Sequence, residues 1–305
     1  MRIFRHAALA VLLALPAAAD AAPRVVTSFA PLHSILAGVM DGIGAPEMLV
    51  KAGASPHTYA MRPSEARLLE EAQLVFWIGP DYETFLRRPL ASLAGRARAV
   101  SMASLPGLTK LPARSGGAWE VDDHGHGHKH AANATDSHMF LDPRNMMLLA
   151  QAAANELARL DPGNADRYAA NATKTVAGLE ALDRELAATL RPLAGRPFVV
   201  FHDAYQYLEA RYGLSPAGSI TISPERRPGA QRIQRIRERI RRVQAACVFA
   251  EPQFEPSLVR TVVEATDART GTLDYVGVGV PPGPDAYASV MRGLAASLSA
   301  CLARP

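Results

Sequence analysis

Histidine is the residue type in this sequence with the greatest capacity for chemistry. The chain has nine histidines, and outside the N-terminal segment and a short histidine-rich stretch four remain: His33, His57, His138 and His202. Neutral imidazole binds zinc, copper, iron and nickel ions, and three histidines with one oxygen ligand form a familiar tetrahedral zinc site. On spacing alone, an isolated histidine is more often a surface or hydrogen-bonded residue than a ligand. The surrounding sequence therefore has to decide which of the four bind metal.

The histidine-rich stretch is a separate feature. His124, His126, His128 and His130 alternate within residues 113–137, a region with Gly, Asp and Ser and little apolar periodicity. This composition predicts a long mobile loop. Such a loop could capture zinc, buffer it or pass it to a main site, but ordering a flexible chain costs entropy, so its affinity should be lower than that of a preformed site. The alternative is a solvated linker whose metal binding is incidental.

Short apolar runs alternate with helical patterns through the first half of the chain. Residues 74–78 read LVFWI, a continuous apolar run typical of a strand buried on both faces of a parallel sheet. Three of the four histidines, His57, His138 and His202, lie where a strand or loop meets a helix, the usual place for a ligand site in α/β folds. The pattern predicts strands over 24–29, 47–50 and 74–78, and helices over 31–41, from 63 onward, and over 82–94.

The second half repeats this alternation after a long helical region. Residues 143–191 have a helical pattern interrupted at 161–163, and residues 165–190 carry one apolar stripe formed by Val176, Leu179, Leu182, Leu186 and Leu190. We then expect strands over 198–201, 247–250 and 272–276, and helices over 204–212, 230–243, 256–268 and 284–302. The predicted fold class is α/β, with two similar α/β domains that have parallel-type sheets and are joined by a long rigid α-helix.

The length of the chain also favours two domains, since 305 residues correspond to two units of roughly 150. We expect a signal peptide over 1–22, an N-terminal metal-binding lobe over 23–155, a linking helix over 156–191 and a C-terminal metal-binding lobe over 192–305. The signal peptide is indicated by Arg2 and Arg5, the apolar run 7–15 and the small residues after it. That run is too short to span a bilayer, so we expect a soluble, exported protein.

The two cysteines, Cys247 and Cys301, agree with export, because an oxidising compartment permits a disulfide between them. The alternative is two separate buried thiols.

The charge of the chain gives little support to nucleic-acid binding. The formal net charge of +4 is small and spread along the sequence. The arginine-rich helical segment 232–242 is interpreted as a solvated face. The sequence contains no phosphate-binding loop, no dinucleotide fingerprint and no GxSxG motif, so these enzyme classes have no support.

Around the three histidines, the sequence resembles the zinc-uptake substrate-binding proteins of bacterial ABC importers. The most specific segment is GASPHTYAMRPSEARLLEEAQLVFWIGP, which contains His57. The segments HMFLDPRN, with His138, and FHDAYQYLEARYGL, with His202, match the second and third metal-binding segments of that family. The histidine-rich loop, the cysteine pair and the long central helix match as well. The resemblance therefore covers essentially the whole chain after the signal peptide.

The resemblance implies a ligand set. His57 and His138 would bind metal from the N-terminal domain and His202 from the C-terminal domain. Manganese-binding relatives have a carboxylate at the position of His202, and a nitrogen ligand there favours zinc. The family's fourth ligand is an aspartate in a Leu-Asp-Pro segment. Here Asp274 is followed by tyrosine, so water or another carboxylate, such as Asp81, is the alternative fourth ligand.

The function implied by the resemblance is that of a non-catalytic periplasmic receptor, which binds Zn²⁺ with high affinity and delivers it to the permease of an ABC importer. We expect a monomer with small lobe motions and no nucleic-acid partner. His33 matches no ligand position and is interpreted as structural or surface. Because ligand histidines must be neutral, zinc affinity should fall as the pH drops below about 6.5.

Three other functions remain open. One is a manganese or iron receptor of the same family, and another is a periplasmic zinc buffer without a transporter. The third is a secreted zinc-dependent hydrolase, since three histidines and an open fourth position also describe a catalytic zinc site. The sequence has no HExxH motif, and no general base can be assigned in it.

Overall fold

The computed structural model of the chain describes residues 21–51, 53–92, 97–114, 134–221, 224, 228–264 and 266–303. Within these ranges, none of the helices is both long and apolar enough to cross a membrane. Two predictions, the signal peptide up to residue 20 and the metal binding of His124, His126, His128 and His130, fall on residues outside the described ranges.

The first half of the chain forms a four-stranded parallel sheet in the order β2-β1-β3-β4. Its strands are β1 (Val25–Phe29), β2 (Glu47–Val50), β3 (Leu74–Trp77) and β4 (Arg98–Ser101), and its helices are α1 (Ala30–Val39), α2 (Pro63–Glu71) and α3 (Arg87–Ser92). All five residues of β1 are buried, as expected for an inner strand of a parallel sheet that is covered on both faces.

Two long helices follow, α4 (Pro143–Leu160) and α5 (Ala165–Leu190), separated by a 3-10 turn over Pro162–Asn164. They pack against each other. The leucines at 179, 182, 186 and 190 are all buried, and Val176 is partly buried against the same core. The apolar stripe predicted from the spacing of three and four residues therefore faces the core.

The second half forms another parallel sheet, in the order β6-β5-β7-β8, which repeats the strand order of the first. Its strands are β5 (Pro197–His202), β6 (Ser215–Thr221), β7 (Cys247–Ala250) and β8 (Arg269–Thr272), and its helices are α6 (Gln206–Tyr212), α7 (Ala230–Val243), α8 (Ser257–Val263) and α9 (Ala286–Leu302). The two halves, each a parallel sheet with surrounding helices, confirm the predicted α/β fold class. In each sheet, the carboxyl ends of the first and third strands flank the crevice in which α/β folds bind ligands.

Helix α5 and contacts at Ser34 join the two halves. Helix α5 packs against α1 from the first half and α9 from the second. The Ser34 hydroxyl on α1 donates to the Pro284 carbonyl at 2.8 Å and accepts the Tyr287 N–H at 2.9 Å. Because these contacts are buried, they restrict how far one half can move relative to the other.

The helix predicted over 82–94 is wrong in extent. The chain forms a 3-10 turn over Thr84–Leu86 and then the six-residue α3. Pro89 has no N–H to donate and so lies in the first turn of a helix, which places the helix start at Arg87. Glu83 is held by backbone N–H groups from the end of β3, so its segment is a turn rather than a helix.

The strand predicted over 272–276 is also wrong. Strand β8 covers Arg269–Thr272, and the chain turns immediately afterwards. The two carboxylate oxygens of Asp274 accept the N–H groups of Gly277 and Val278, which stabilises a turn at this point. Strands β4 and β6 were not predicted, since their sequences, RAVS and SPAGSIT, lack a clear apolar run.

A disulfide joins Cys247, the first residue of β7, to Cys301 near the end of α9. The predicted pairing is therefore confirmed, and the alternative of two separate thiols is not. The bond fastens the last helix to an inner strand of the second sheet.

The arginine-rich face of α7 is only partly solvated. Strand β6 is an edge strand, and arginine side chains bind its backbone carbonyls. Arg232 Nε donates to the Ile220 carbonyl at 2.6 Å, and Arg239 Nε donates to the Ala217 carbonyl at 3.2 Å. These contacts protect the sheet edge, so the predicted solvated face is in part a structural contact with the sheet.

Candidate metal centre

The three candidate histidines are carried by three separate segments. His57 lies in the connection between β2 and α2, His138 immediately precedes the 3-10 turn (Met139–Leu141) that leads into α4, and His202 is the last residue of β5. One ring nitrogen of each lies within 4.8 Å of those of the other two. His57 Nε2 is 3.2 Å from His138 Nε2. Among the described residues, this is the one group of three or more His, Cys, Asp or Glu side chains placed to hold a metal ion.

Carboxylates orient two of the three rings. His138 Nδ1 is 2.8 Å from Asp136 Oδ1, which also accepts the His138 backbone N–H at 2.9 Å. His202 Nδ1 is 2.7 Å from Glu251 Oε1. A carboxylate at Nδ1 keeps the proton on that nitrogen, so the Nε2 lone pair is free to bind a metal. His202 Nε2 is buried and has no hydrogen-bond partner among the residues that the structure describes.

Aromatic rings enclose the histidines. The Tyr82 ring lies 4.7 Å from the His57 ring and 5.4 Å from the His138 ring, and the Tyr275 ring lies 5.7 Å from the His202 ring. His138 and His202 are 6% and 1% exposed, whereas His57 is only partly buried. Solvent therefore reaches the group mainly at His57.

Burial also determines the charge state of His57. Burial, followed by the neighbouring His138 and His202 rings, lowers the pKa of His57 well below its ordinary value of 6.5. Only neutral imidazole binds a metal. We therefore expect protons to compete for the His57 ring at a lower pH than the value of about 6.5 expected for an ordinary imidazole.

Neither carboxylate considered as a fourth ligand belongs to the histidine group. Both oxygens of Asp274 accept backbone N–H groups in the turn after β8, and the residue is not part of the histidine group. Asp81 forms an exposed ion pair with Arg87 at 3.0 Å. His33 lies on α1, outside the group.

The family described as zinc-uptake complex component A, periplasmic, matches residues 25–301 of the chain. The chain belongs to this family. The high-affinity zinc uptake system protein ZnuA of Brucella suis biovar 1 (strain 1330) is 46% identical to it, with 92% of each protein covered. The protein of the same name from Yersinia pestis is 39% identical, again with 92% of each covered.

Solved structures of the zinc-uptake family have the same fold. A crystal structure of ZnuA matches with a TM-score of 0.76 at 27% identity, covering 92% of this chain and 99% of that one. The crystal structure of a 138-173 ZnuA deletion mutant plus zinc bound matches with a TM-score of 0.77 at 25% identity, covering 93% of this chain and 100% of that one. The family consists of periplasmic zinc-binding receptors of ABC transporters, so the resemblance found in the sequence is confirmed.

Asp136 and Glu251, the carboxylates beside the histidine rings, were not predicted from the sequence of this zinc-uptake chain. Signals for both are present in retrospect. Asp136 is two residues before His138, close enough for its side chain to reach both the backbone and the ring of the histidine. Glu251 directly follows β7, which is hydrogen-bonded to β5. A polar residue after a buried strand next to the strand of His202 is a candidate partner for that histidine.

We expect Glu251→Gln to weaken zinc binding by about 10- to 100-fold, the usual effect of losing an outer-shell partner of a metal ligand. The amide no longer fixes the proton on His202 Nδ1 as a carboxylate does. Isothermal titration with Zn²⁺ measures the effect, and Glu70→Gln, which alters an exposed carboxylate of α2, is the control. Equal affinities of the two variants would contradict the orienting role of Glu251.

The residues that flank the predicted histidine-rich loop are linked by hydrogen bonds to the segment of His138. Residues Pro112 and Thr135 form an antiparallel bridge. The Tyr207 hydroxyl donates to the Asp136 carbonyl at 2.8 Å and accepts the Leu111 N–H at 3.0 Å. Since the Asp136 side chain also orients His138, the loop base and this candidate ligand belong to one hydrogen-bonded unit.

Glu83 follows Tyr82, one of the aromatic residues beside the histidines, and its carboxyl is completely buried. The carboxyl accepts hydrogen bonds from the Ser28 hydroxyl and the Ile78 and Gly79 N–H groups, at 2.5, 3.0 and 2.9 Å. Burial raises the pKa of Glu83 to about 7, although these hydrogen bonds favour the charged form.

The raised pKa of Glu83 predicts a pH dependence of stability. Between pH 4.5 and about 7, the folded protein holds a proton that the unfolded chain has lost, so the free energy of unfolding falls as the pH rises. We expect this pH-dependent decrease in the free energy of unfolding, on the order of 3 kcal/mol, to be absent in Glu83→Gln. Urea denaturation from pH 5 to 8 measures the difference from wild type. The control is Glu70→Gln, which alters an exposed carboxyl; its free energy of unfolding should depend on pH as that of the wild type does. The same pH dependence in Glu83→Gln would contradict the prediction.

Proposed function

We propose that this protein captures Zn²⁺ with His57, His138 and His202 and presents the ion to the permease of an ABC importer. The observation that supports this proposal is the convergence of three ring nitrogens within 4.8 Å, two of them on rings already oriented by carboxylates. Three imidazoles at such distances match the nitrogen ligands of a tetrahedral zinc site.

The ligand chemistry favours zinc over manganese. All three members of the group are histidines, and the group has no carboxylate member. Imidazole nitrogen suits zinc, copper, iron and nickel, whereas manganese prefers carboxylate and water oxygens. The curated relatives are named as zinc uptake proteins, which agrees with the donor set.

The position of the group between the halves supports a role in transport. His57 and His138 belong to segments beside the first sheet, and His202 ends an inner strand of the second. A metal bound by all three therefore stabilises the arrangement in which the halves meet. We infer that the permease recognises this metal-bound arrangement, and that the motion between states is small because α5 and the buried contacts at Ser34 restrain both halves.

A cavity of about 660 Å³ lies beside the histidine group. Its lining includes Ser55 and Thr58, on either side of His57, and Phe254, whose ring lies 6.2 Å from the His202 ring. His57 is the most exposed of the three histidines. We infer that the ion arrives through this cavity and meets His57 first.

We further propose that residues 1–22 are removed on export, that the mature protein acts in the periplasm as a monomer without nucleic acid, and that it has no enzymatic activity. The lobes are assigned to 23–155 and 192–305, with 156–191 between them. Asp136 and Glu251, the carboxylates next to the histidine rings, are engaged in orienting those rings, so neither is available as the general base of a hydrolase. The histidine-rich stretch is assigned an auxiliary, weaker role in zinc capture.

Competitive titration of the metal-free protein with Zn²⁺ and Mn²⁺ tests the function. We expect one tight zinc site and manganese binding weaker by at least about tenfold, as the nitrogen donors require. Tighter binding of manganese than of zinc would show that the protein is a manganese receptor. Hydrolysis of a peptide or ester substrate by the zinc-loaded protein would replace it by an enzyme.

A further inference from the structure

An arginine near the metal centre reaches from one half of the protein to the other. Arg114 lies in the segment between β4 and α4, beside the bridge of Pro112 and Thr135. Its Nη1 donates to Asp203 Oδ1 at 3.0 Å, and its Nη2 donates to Glu209 Oε2 at 2.7 Å. Asp203 follows β5 and Glu209 lies on α6, so both acceptors belong to the second half. We call these three residues, Arg114, Asp203 and Glu209, the clasp.

The clasp is largely removed from solvent. The side chains of Asp203 and Glu209 are 9% and 2% exposed, and that of Arg114 is 22% exposed. Exposed ion pairs contribute little, because water and salt screen them. In a buried pair, by contrast, the loss of one partner leaves the other without compensation in a poorly solvated place. Opening the clasp is therefore unfavourable for the protein.

Each end of the clasp lies close to a candidate zinc ligand. On the second half, Asp203 directly follows His202. On the first half, the Asp136 N–H donates to the Leu111 carbonyl at 2.9 Å, close along the chain to the arginine of the clasp. The Asp136 side chain in turn orients His138. The clasp therefore links the backbone next to one ligand with the segment that holds another.

We propose that Arg114 is a positioning residue of the metal centre, which through the clasp keeps His138 and His202 close enough to share one ion. These two rings come from different halves, and their centroids are 5.3 Å apart. An ion bound by both rings leaves more readily when their segments separate, and the clasp opposes this separation. The clasp should therefore slow the release of zinc more than it affects its capture. The proposal rests on the proposed function, because it requires the three histidines to bind the ion.

The rates of zinc binding and release test the proposal. Rapid mixing of the zinc-loaded protein with excess chelator measures the dissociation rate, and mixing of the metal-free protein with Zn²⁺ measures the association rate. The test variants are Arg114→Gln and Arg114→Lys. The matched control is Arg237→Gln, because the Arg237 side chain is 25% exposed and its Nε donates to the Thr261 carbonyl at 3.0 Å, within the second half alone.

We expect Arg114→Gln to release zinc about tenfold faster than wild type, because it loses charged hydrogen bonds between the halves. Its association rate should stay within about twofold, since most changes in affinity come from dissociation. Arg114→Lys should be intermediate, because an ammonium keeps the charge but lacks the planar fork that serves two acceptors. The control should release zinc within about twofold of the wild-type rate.

A second variant tests whether the effect passes through the clasp. Glu209→Gln alters an acceptor of the clasp on the second half, and by itself it should also speed zinc release. Combined with Arg114→Gln, it should add little, because both substitutions weaken the same contact. Additive effects of the two substitutions on the dissociation rate would show that they act separately and would contradict the proposal.

Equal dissociation rates in Arg114→Gln and Arg237→Gln would also overturn the role of the clasp. The three-histidine receptor still stands in that case, provided that His202→Ala binds zinc more weakly than wild type. If zinc binds equally well to wild type and His202→Ala, the proposed function itself is wrong. Circular dichroism confirms that the compared proteins are folded. Should Arg114→Gln fail to fold, Arg114→Lys and Glu209→Gln decide the test, since both must release zinc faster than the control.

Discussion

Zinc binding should weaken by at least about 100-fold in His202→Ala, more than for an outer-shell partner. His202 is the member of the group contributed by the second sheet. Its removal leaves Glu251 buried and without its imidazole partner, and it leaves the ion with ligands from the first half alone. Isothermal titration against a competing chelator measures the affinity.

The matched control for this substitution is His33→Ala. His33 is a histidine of the same chain that lies on α1, outside the group, so its loss should change zinc affinity by less than about twofold, because surface or remote substitutions have small effects. Similar losses in the two variants would show that affinity follows general stability and not ligation by His202. An unchanged zinc affinity in His202→Ala would show that the second half contributes no ligand through this histidine.

The second large effect concerns stability rather than binding. In the double variant Cys247→Ala with Cys301→Ala, we expect the free energy of unfolding to fall by about 2–4 kcal/mol, because the disulfide closes a loop with a sequence separation of 54 residues and restricts the unfolded chain. Both cysteines are buried, and alanine is smaller than half of the cystine it replaces, so lost packing adds to the effect.

Urea denaturation of the oxidised wild type and the double variant measures this difference. Wild-type protein treated with a reductant is the appropriate control, because it loses the covalent bond and keeps the side-chain volume. Zinc affinity should remain within about twofold of wild type, since the bond lies at the start of β7 and the end of α9, away from the histidine group. Equal stability of the wild type and the variant would mean that packing alone holds α9 in place.

The residues of the candidate metal centre come from separate segments of the fold. The strand ends supply His202 and Glu251, the segment before α4 supplies Asp136 and His138, and the β2–α2 connection supplies His57. Helix α5 packs against α1 of the first half and α9 of the second, which restrains how far the two halves can separate.

Much of the fold and of the candidate site could be predicted from the sequence. Apolar runs such as LVFWI indicated strands buried on both faces, because a parallel sheet covered by helices leaves no polar face. The leucines of α5 indicated one buried stripe, because residues three and four apart share a helix face. His57, His138 and His202 were selected because each lies where strands or loops meet helices, and because their segments resemble one protein family. Cys247 and Cys301 could pair with no other cysteine.

Other features were decided only by the tertiary structure. Local periodicity shows which side of an element is buried, but it contains no information about which groups from distant segments meet. The pairing of Glu251 with His202 depends on the strand order that places β7 beside β5. The Asp274 carboxylate turned out to bind backbone N–H groups of its own turn, since local hydrogen bonds compete with more distant partners. The convergence of Tyr82 and Tyr275 on the histidine group depends likewise on packing between the two halves, which no single segment of the sequence encodes.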